Sequence, residues 1–396
     1  MINIGLISHA SRLHGAERML LNLALLLLET EKFSVKIFMP EMDDSGLYSE
    51  CKKYGIEAES IPFNIWYIFF DRANENEFKQ RKELIRIRTK EFDKIIRNNN
   101  IDIFINNTLT NIIPYMSIIK FNIPIITWVH GILDGFVVPN GDLDFRLLLD
   151  RVCMSLSSSV ICNSIWTEKY FHEYSKNMTV IYNWTNEPKN IDNVDKENIF
   201  VCLNSLHHLK GIYKLINACK ILKNRGYSFK LLLYGNDLSD MIEQLKEEIE
   251  KSDLSENVIL KGVTSNIESV YNNSSILVQP SYIESFGMTI IEAMSYGNAV
   301  ISSRSGGPEE IINHNVDGLL VDRFSPEDLA EKMMYLLDNK DEAIRMGREG
   351  RKSYVNKFSS KVASSKFIDV ITKTHNSFSG YTNEQMIIYD MLKYIF

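Results

Sequence analysis

The stretch from Gln279 to Ile312, QPSYIESFGMTIIEAMSYGNAVISSRSGGPEEII, constrains the fold more than any other part of the chain. The apolar run Ile276–Val278 before it reads as a buried strand, and Pro280 and Ser281 end it. A loop follows over Tyr282–Gly287, and Met288–Tyr296 then carries helical apolar spacing. Gly297 stands where a left-handed helix C-cap is wanted, and Ala299–Ser302 opens the next strand. Strand, loop, helix, strand is the repeating unit of a parallel sheet.

Two glutamates, Glu284 and Glu292, are separated by seven residues in this unit. Glu284 belongs to the loop at the strand end, and Glu292 lies about one turn into the helix. Helical side chains lean toward the N-terminus, so Glu292 is expected to point back at the loop. The first N–H groups of the helix, those of Gly287, Met288 and Thr289, lack intrahelical partners and form an anion site. Gly287 permits a close backbone approach to a ligand. N–H donors for a phosphate beside carboxylate acceptors for hydroxyls suit a nucleotide sugar.

The ESFGMTIIE segment, followed by EAMSYGNAVISSRSGGPEEII, resembles family 4 glycosyltransferases of the GT-B fold. That resemblance extends to several motifs along most of the chain. HGAERML is similar to the family's glycine loop, with His14 in place of its first glycine, and implies that the Gly15 N–H lies near the donor diphosphate. The strand ending in Val129-His130-Gly131 matches the family's strand-end histidine near the donor sugar. Lys210 matches a Lys-Gly pair, and a lysine beside a helix N-terminus can hold a pyrophosphate. Gly235-Asn236 and Gly262-Val263 match strand-end positions at the nucleobase. Phe286, Gly287, Met288, Thr289 and Glu292 complete the implied donor site. In one departure, Asn204 and Ser205 stand where the family commonly has Gly-Arg, so the phosphate-gripping charge must come from elsewhere, with His207, His208 and Arg304 as candidates.

A chain of 396 residues suits two domains. Its net charge of −7 gives no global reason to expect nucleic acid as a partner. Five scattered cysteines without a C-x-x-C pair argue against a disulfide framework or a zinc site and fit a reducing cytosol. The first residues, MINIGLISHA, read as a strand rather than a signal peptide. Met19–Leu28, broken by Asn22, is too short to span a membrane.

The expected fold is α/β: two Rossmann-like, doubly wound parallel-sheet domains facing a cleft. The expected ranges are 1–185 for the acceptor domain, a polar linker over 183–197, 195–375 for the donor domain, and a helix over 376–396 that crosses back to the first domain. No G-x-G-x-x-G follows the first strand, which disfavours a dinucleotide-binding oxidoreductase. In the first domain, Asn107 and Thr108 follow a strand end, where substrate binds in open α/β sheets; a plain turn would select the same residues. The aromatic run 65–70 and a basic helix over about 78–97 carry two readings. One is a face on an anionic membrane, and the other is a core-packed helix with a solvated charged side. The D-x-D string at 142–144 reads as acidic residues favouring a helix start rather than a metal site.

The resemblance implies a retaining transferase that uses a nucleotide-diphosphate sugar as co-substrate and needs no metal or other cofactor. Glu284, His130 and Lys210 would be catalytic. The acceptor would be a glycan or lipid-linked glycan, reached in the cytoplasm or at the inner face of the membrane. A sugar-nucleotide epimerase and a non-catalytic GT-B partner subunit are the alternatives.

Overall fold

A computed structural model describes the chain apart from residues 43, 45, 64–74, 110, 111, 132–142, 176, 192–198, 238–240 and 265, and apart from the side chains of 143–147. The run 65–70, the long loop before residue 143 and most of the D-x-D string lie outside the described residues, as does much of the expected linker.

Two compact units are present. The first comprises Met1–Ile181 together with Ala363–Phe396, and the second is Tyr182–Val362. The first holds seven parallel strands, β1 (Ile2–Ile7), β2 (Phe33–Met39), β3 (Glu57–Ser60), β4 (Ile103–Asn106), β5 (Ile125–Val129), β6 (Ser159–Cys162) and β7 (Met178–Val180), in the order β3-β2-β1-β4-β5-β6-β7. The second holds six, β8 (Ile199–Leu203), β9 (Lys230–Tyr234), β10 (Val258–Gly262), β11 (Ile276–Gln279), β12 (Ala299–Ser303) and β13 (Leu319–Val321), in the order β10-β9-β8-β11-β12-β13, again parallel. Central strands such as β4, β5, β11 and β12 are buried along their whole length, as sheets covered on both faces require.

Each sheet reverses its winding once, between β1 and β4 in the first unit and between β8 and β11 in the second. The carboxyl ends beside such a reversal form the crevice where open α/β sheets bind ligands. His9 and Asn107 follow β1 and β4, and Asn204 and Pro280 follow β8 and β11. Topology alone therefore brings polar residues far apart in sequence to two shared sheet edges.

Ala363–Phe396 belongs to the first unit, which corrects the expected end of the second domain from 375 to 362. The cause is packing. In the helix Ser360–Ser377, Phe367 meets Trp128 edge to face with ring centroids 4.7 Å apart, and Thr374 and Ser159 share a 2.8 Å hydroxyl hydrogen bond. The helix Asn383–Ile395 is started by a Thr382/Gln385 capping box and puts Tyr389, Leu392 and the following Phe396 into the first core. The basic helix, observed over Glu75–Asn98, buries Ile85, Phe92 and Ile96 against that core. A further helix, Ile113–Lys120, is buried on nearly every side. All five cysteines are free and buried.

Candidate active site

In the second unit, a chain of polar contacts converges on Glu284. Its Oε2 accepts from Lys210 Nζ at 2.8 Å and from Gln279 Nε2 at 3.2 Å. Gln279, the last residue of β11, accepts in turn from the Asn204 side-chain amide through its Oε1. The Glu284 backbone is pinned as well: its N–H donates to Ser305 O at 2.9 Å, and its carbonyl accepts from Gly307 N at 2.8 Å. Gly307 has to be glycine there, because a Cβ would lie 2.4 Å from Phe286 Cα and from Ser285 O.

Lys210 is reached differently from the expectation. It does not begin the long helix but ends a short 3₁₀ turn, His208–Lys210. Gly211 then adopts a left-handed conformation (φ +68°) and caps the helix Ile212–Asn224. A Cβ on Gly211 would fall 2.0 Å from Pro280 O, and Tyr282 N donates to Leu209 O at 2.9 Å. The two loops are thus locked edge to edge, which sets the Lys210–Glu284 pair. His207 is occupied locally, its Nδ1 accepting from Leu209 N, and burial and neighbouring cations hold its pKa below the usual imidazole value. Arg304 pairs with Glu309 at 3.4 Å. Among the described residues, Lys210 is the cation that touches Glu284.

Gly287 precedes the helix Met288–Ser295 with φ +117°. The N–H groups of Gly287, Met288 and Thr289 donate to no described residue, so the helix start retains its positive end. Glu292 is buried on this helix and accepts from the Tyr271 hydroxyl at 3.1 Å. Burial and the Glu292 charge drive the Tyr271 pKa well up, so it remains a donor. The Phe286 side chain is buried, stacking on Tyr182 with centroids 5.8 Å apart, so only its backbone is available to a ligand. Gly235-Asn236 and Gly262-Val263 stand at the carboxyl ends of β9 and β10, with Val263 exposed. Gly235 N donates to Gly262 O at 2.9 Å, which ties the two strand ends together.

The first unit carries its own polar cluster. His130 Nε2 lies 2.7 Å from Asn107 Oδ1, and Asn163 donates to the His130 carbonyl at 2.9 Å. Asn107 is fully buried, and its amide also donates to Ala16 O at 3.0 Å. His9 Nδ1 is 3.1 Å from Glu17 Oε1, and the His9 ring also hydrogen-bonds the Asn107 backbone. Burial pushes Glu17 up to about 7 and pulls His9 down to about 4 and His130 down to about 3. Thr108 sits at φ +149°, a region β-branched residues rarely adopt, with its carbonyl held by Asn106 Nδ2 at 2.7 Å. Gly15 is the first residue of the helix Gly15–Leu28, with open space around its Cβ position.

His9, Glu17 and Gln279 escape sequence reading. His9 and Gln279 follow or close strands at a winding reversal, and Glu17 reads as an ordinary first-turn acid. Strand-end position in a reversing sheet was the available signal for the first two.

Residues 184–353 match the family model described as glycosyl transferases group 1. The chain is 30% identical over 243 residues to an uncharacterized glycosyltransferase of Methanocaldococcus jannaschii, covering 61% of this chain and 66% of that relative. It is 34% identical over 161 residues to the capsular polysaccharide biosynthesis glycosyltransferase CapM of Staphylococcus aureus, covering 39% and 40%. The matched regions thus span about two thirds and two fifths of these relatives' lengths. The crystal structure of Anabaena HepE in complex with UDP-glucose is similar in fold, with a TM-score of 0.76 at 18% identity over 94% of this chain and 100% of that one. The fold is α/β with two Rossmann-like parallel-sheet units, and its structural neighbours are GT-B proteins. The similarity to glycosyl transferases group 1 thus lies over the second unit, in less than half of the chain, and the curated relatives it shares residues with are glycosyltransferases.

Proposed function

We propose that the chain is a retaining glycosyltransferase that moves a sugar from a nucleotide-diphosphate sugar to a glycan or lipid-linked glycan acceptor in polysaccharide biosynthesis. The observation that carries this reading is Glu284, whose carboxylate is held by Lys210 and Gln279 and whose backbone is fixed by Ser305 and Gly307. A carboxylate so restrained is built to orient the hydroxyls of a donor sugar. The N-terminus of Met288–Ser295 and Lys210 would stabilise the leaving diphosphate, where negative charge develops. Because these groups supply positive charge, the proposal needs no resident metal. Glu292, which already accepts from the Tyr271 hydroxyl, would accept from the ribose hydroxyls as well. In the step itself, the bond from the anomeric carbon to the phosphate oxygen breaks and a bond to the acceptor oxygen forms on the same face. The acceptor's proton passes to the departing phosphate. The capsular polysaccharide role of the CapM relative and the UDP-glucose bound in the HepE complex fit such a donor and pathway class.

The same proposal includes a peripheral contact with an anionic membrane surface. Ile387, Met391 and Tyr394 form an exposed apolar stripe along the helix Asn383–Ile395. Lys82 and Arg86 of the basic helix reach the carbonyls of Tyr394 and Phe396, so cationic and apolar groups adjoin. Among the described residues no helix is long and apolar enough to cross a membrane. Failure to float with anionic liposomes would remove this part of the proposal.

The deciding experiment is nucleotide release from UDP-, GDP-, ADP- and TDP-sugars without acceptor. Slow release from one of them is expected. Neither release nor nucleotide binding would overturn the reading in favour of a non-catalytic partner subunit. An epimerised sugar nucleotide without any acceptor would replace it with an isomerase.

A further inference from the structure

Among the described residues, the His130 ring is held on one edge only. Its Nε2 meets Asn107 Oδ1 at 2.7 Å, its face lies against Trp128 with centroids 4.4 Å apart, and Nδ1 meets no described residue. Which nitrogen carries the proton is therefore decided by Asn107. That amide has a single workable orientation. Its nitrogen end lies 3.0 Å from the Ala16 carbonyl, which can only accept, so this end must be Nδ2. Flipping the amide would set two oxygens against each other at Ala16 in a fully buried site. The oxygen end then faces His130, and as an acceptor it requires a proton on Nε2. The Asn107 backbone is fixed as well, since its N–H donates to Ile7 O at 3.0 Å, at the end of β1.

We propose that Asn107 is a positioning residue that fixes His130 as the Nε2–H tautomer and leaves Nδ1 as the acceptor for a substrate hydroxyl. This deepens the transferase reading and rests on it for the identity of the hydroxyl as a sugar's. The surroundings keep the ring uncharged. Among the described residues, the titratable groups facing it are His9, from the loop after β1, and behind His9 both Glu17 and His14 at the start of the helix Gly15–Leu28. Burial disfavours a cation on His130, and a charge on His9 would add repulsion. A neutral imidazole with a bare Nδ1 accepts a hydrogen bond from a hydroxyl without competing for its proton at neutral pH.

The test is nitrogen NMR of the full chain labelled with 15N-histidine, from pH 5 to 8, with the His130 ring assigned by its loss in His130→Phe. The expected result is a protonated Nε2, a bare Nδ1 and no titration across the range. An Nδ1–H ring, or one that takes up a second proton near pH 6.5, would overturn the proposal, and this readout needs no activity. Asn107→Asp offers a carboxylate to the same N–H, so the His130 titration should move up into the observed range and turnover should gain a matching pH inflection. Asn107→Ala should give a mixed tautomer and lower kcat by about 10–100-fold, with nucleotide Kd unchanged. If Asn107→Ala keeps both the tautomer and kcat, Asn107 does not position the ring. If the wild-type chain transfers no sugar while the tautomer is as expected, the functional reading fails and the positioning role stands.

Discussion

The two units solve the same problem, a cluster of polar groups at the end of a parallel sheet, in opposite ways. In the second unit Glu284 and Lys210 are partly exposed and meet as an ion pair, with Gln279 and Asn204 as neutral supports. In the first unit, burial presses the groups toward neutrality: Glu17 toward its acid form, His9 and His130 toward bare imidazoles. An ion pair can be opened by an arriving anion, because each partner is charged already. A neutral buried cluster has no charge to offer and can only direct hydrogen bonds. The division suits a donor carrying phosphate in the second unit and an uncharged hydroxyl in the first.

The sharpest way to break this comparison is Glu284→Ala. Lys210 would lose its partner but keep its charge, so nucleotide Kd should change by less than about threefold. Sugar release should fall by roughly 100-fold or more, because the donor sugar loses its positioning group. Turnover that survives at wild-type rate would show that the site is misassigned.

Next in size is a pH effect in the first unit. The folded Glu17 holds a proton that an unfolded chain has already released, so its contribution to stability falls as pH rises from about 4.5 to about 7. His9 works the other way: the unfolded chain binds its proton first, so stability rises from about pH 4 to about 6.5. Over the shared window the two opposite slopes largely cancel. Glu17→Gln removes one side of this balance. Relative to wild type, its stability should rise with pH by up to about 1.4 kcal/mol per unit between pH 4.5 and 6.5. Urea midpoints along that range would measure it, and parallel curves for the two proteins would mean that Glu17 does not keep its proton in the folded state.

The smallest effect sharpens the second unit. Glu292→Gln retains the shape and the Tyr271 neighbour but weakens a charge-assisted acceptor. Nucleotide affinity should drop about tenfold, roughly 1.4 kcal/mol, by calorimetry. An unchanged affinity would limit Glu292 to supporting Tyr271.

Much of this was legible where the chain signals locally. The Ser325 N-cap accepts from Asp328 N at 3.0 Å, and Thr382-x-x-Gln385 forms its capping box. Gly297 closes its helix with φ +70°, and the strand preceding Glu284 ends at Gln279 next to Pro280. These features need only neighbours within a few residues. The helix Ile113–Lys120 was not legible because it is apolar nearly all round, and a fully buried helix loses the polar face that gives it a period. Gln279 and Asn204 are 75 residues apart, and Asn107 and Ala16 are 91 apart. Such partners meet through the strand order of the sheet, which no local pattern encodes. The membership of Ala363–Phe396 in the first unit was hidden for the same reason: only contacts such as Phe367 on Trp128 reveal which core those residues complete.

That last segment has a consequence during synthesis. Most of the first unit, Met1–Ile181, is made before the second, but part of its core, Tyr389, Leu392 and Phe396 among it, is made after it. Between the two pieces a ribosome must make residues 182–362, which takes roughly 10–40 s at 5–20 residues per second. Throughout that interval the nascent seven-stranded sheet lacks the Phe367 ring that packs on Trp128 and the Tyr389 hydroxyl that bonds the Met116 carbonyl, while the later unit emerges whole. The order in which the units finish is thus the reverse of the order in which they start, and the early sheet is the part most exposed to chaperones.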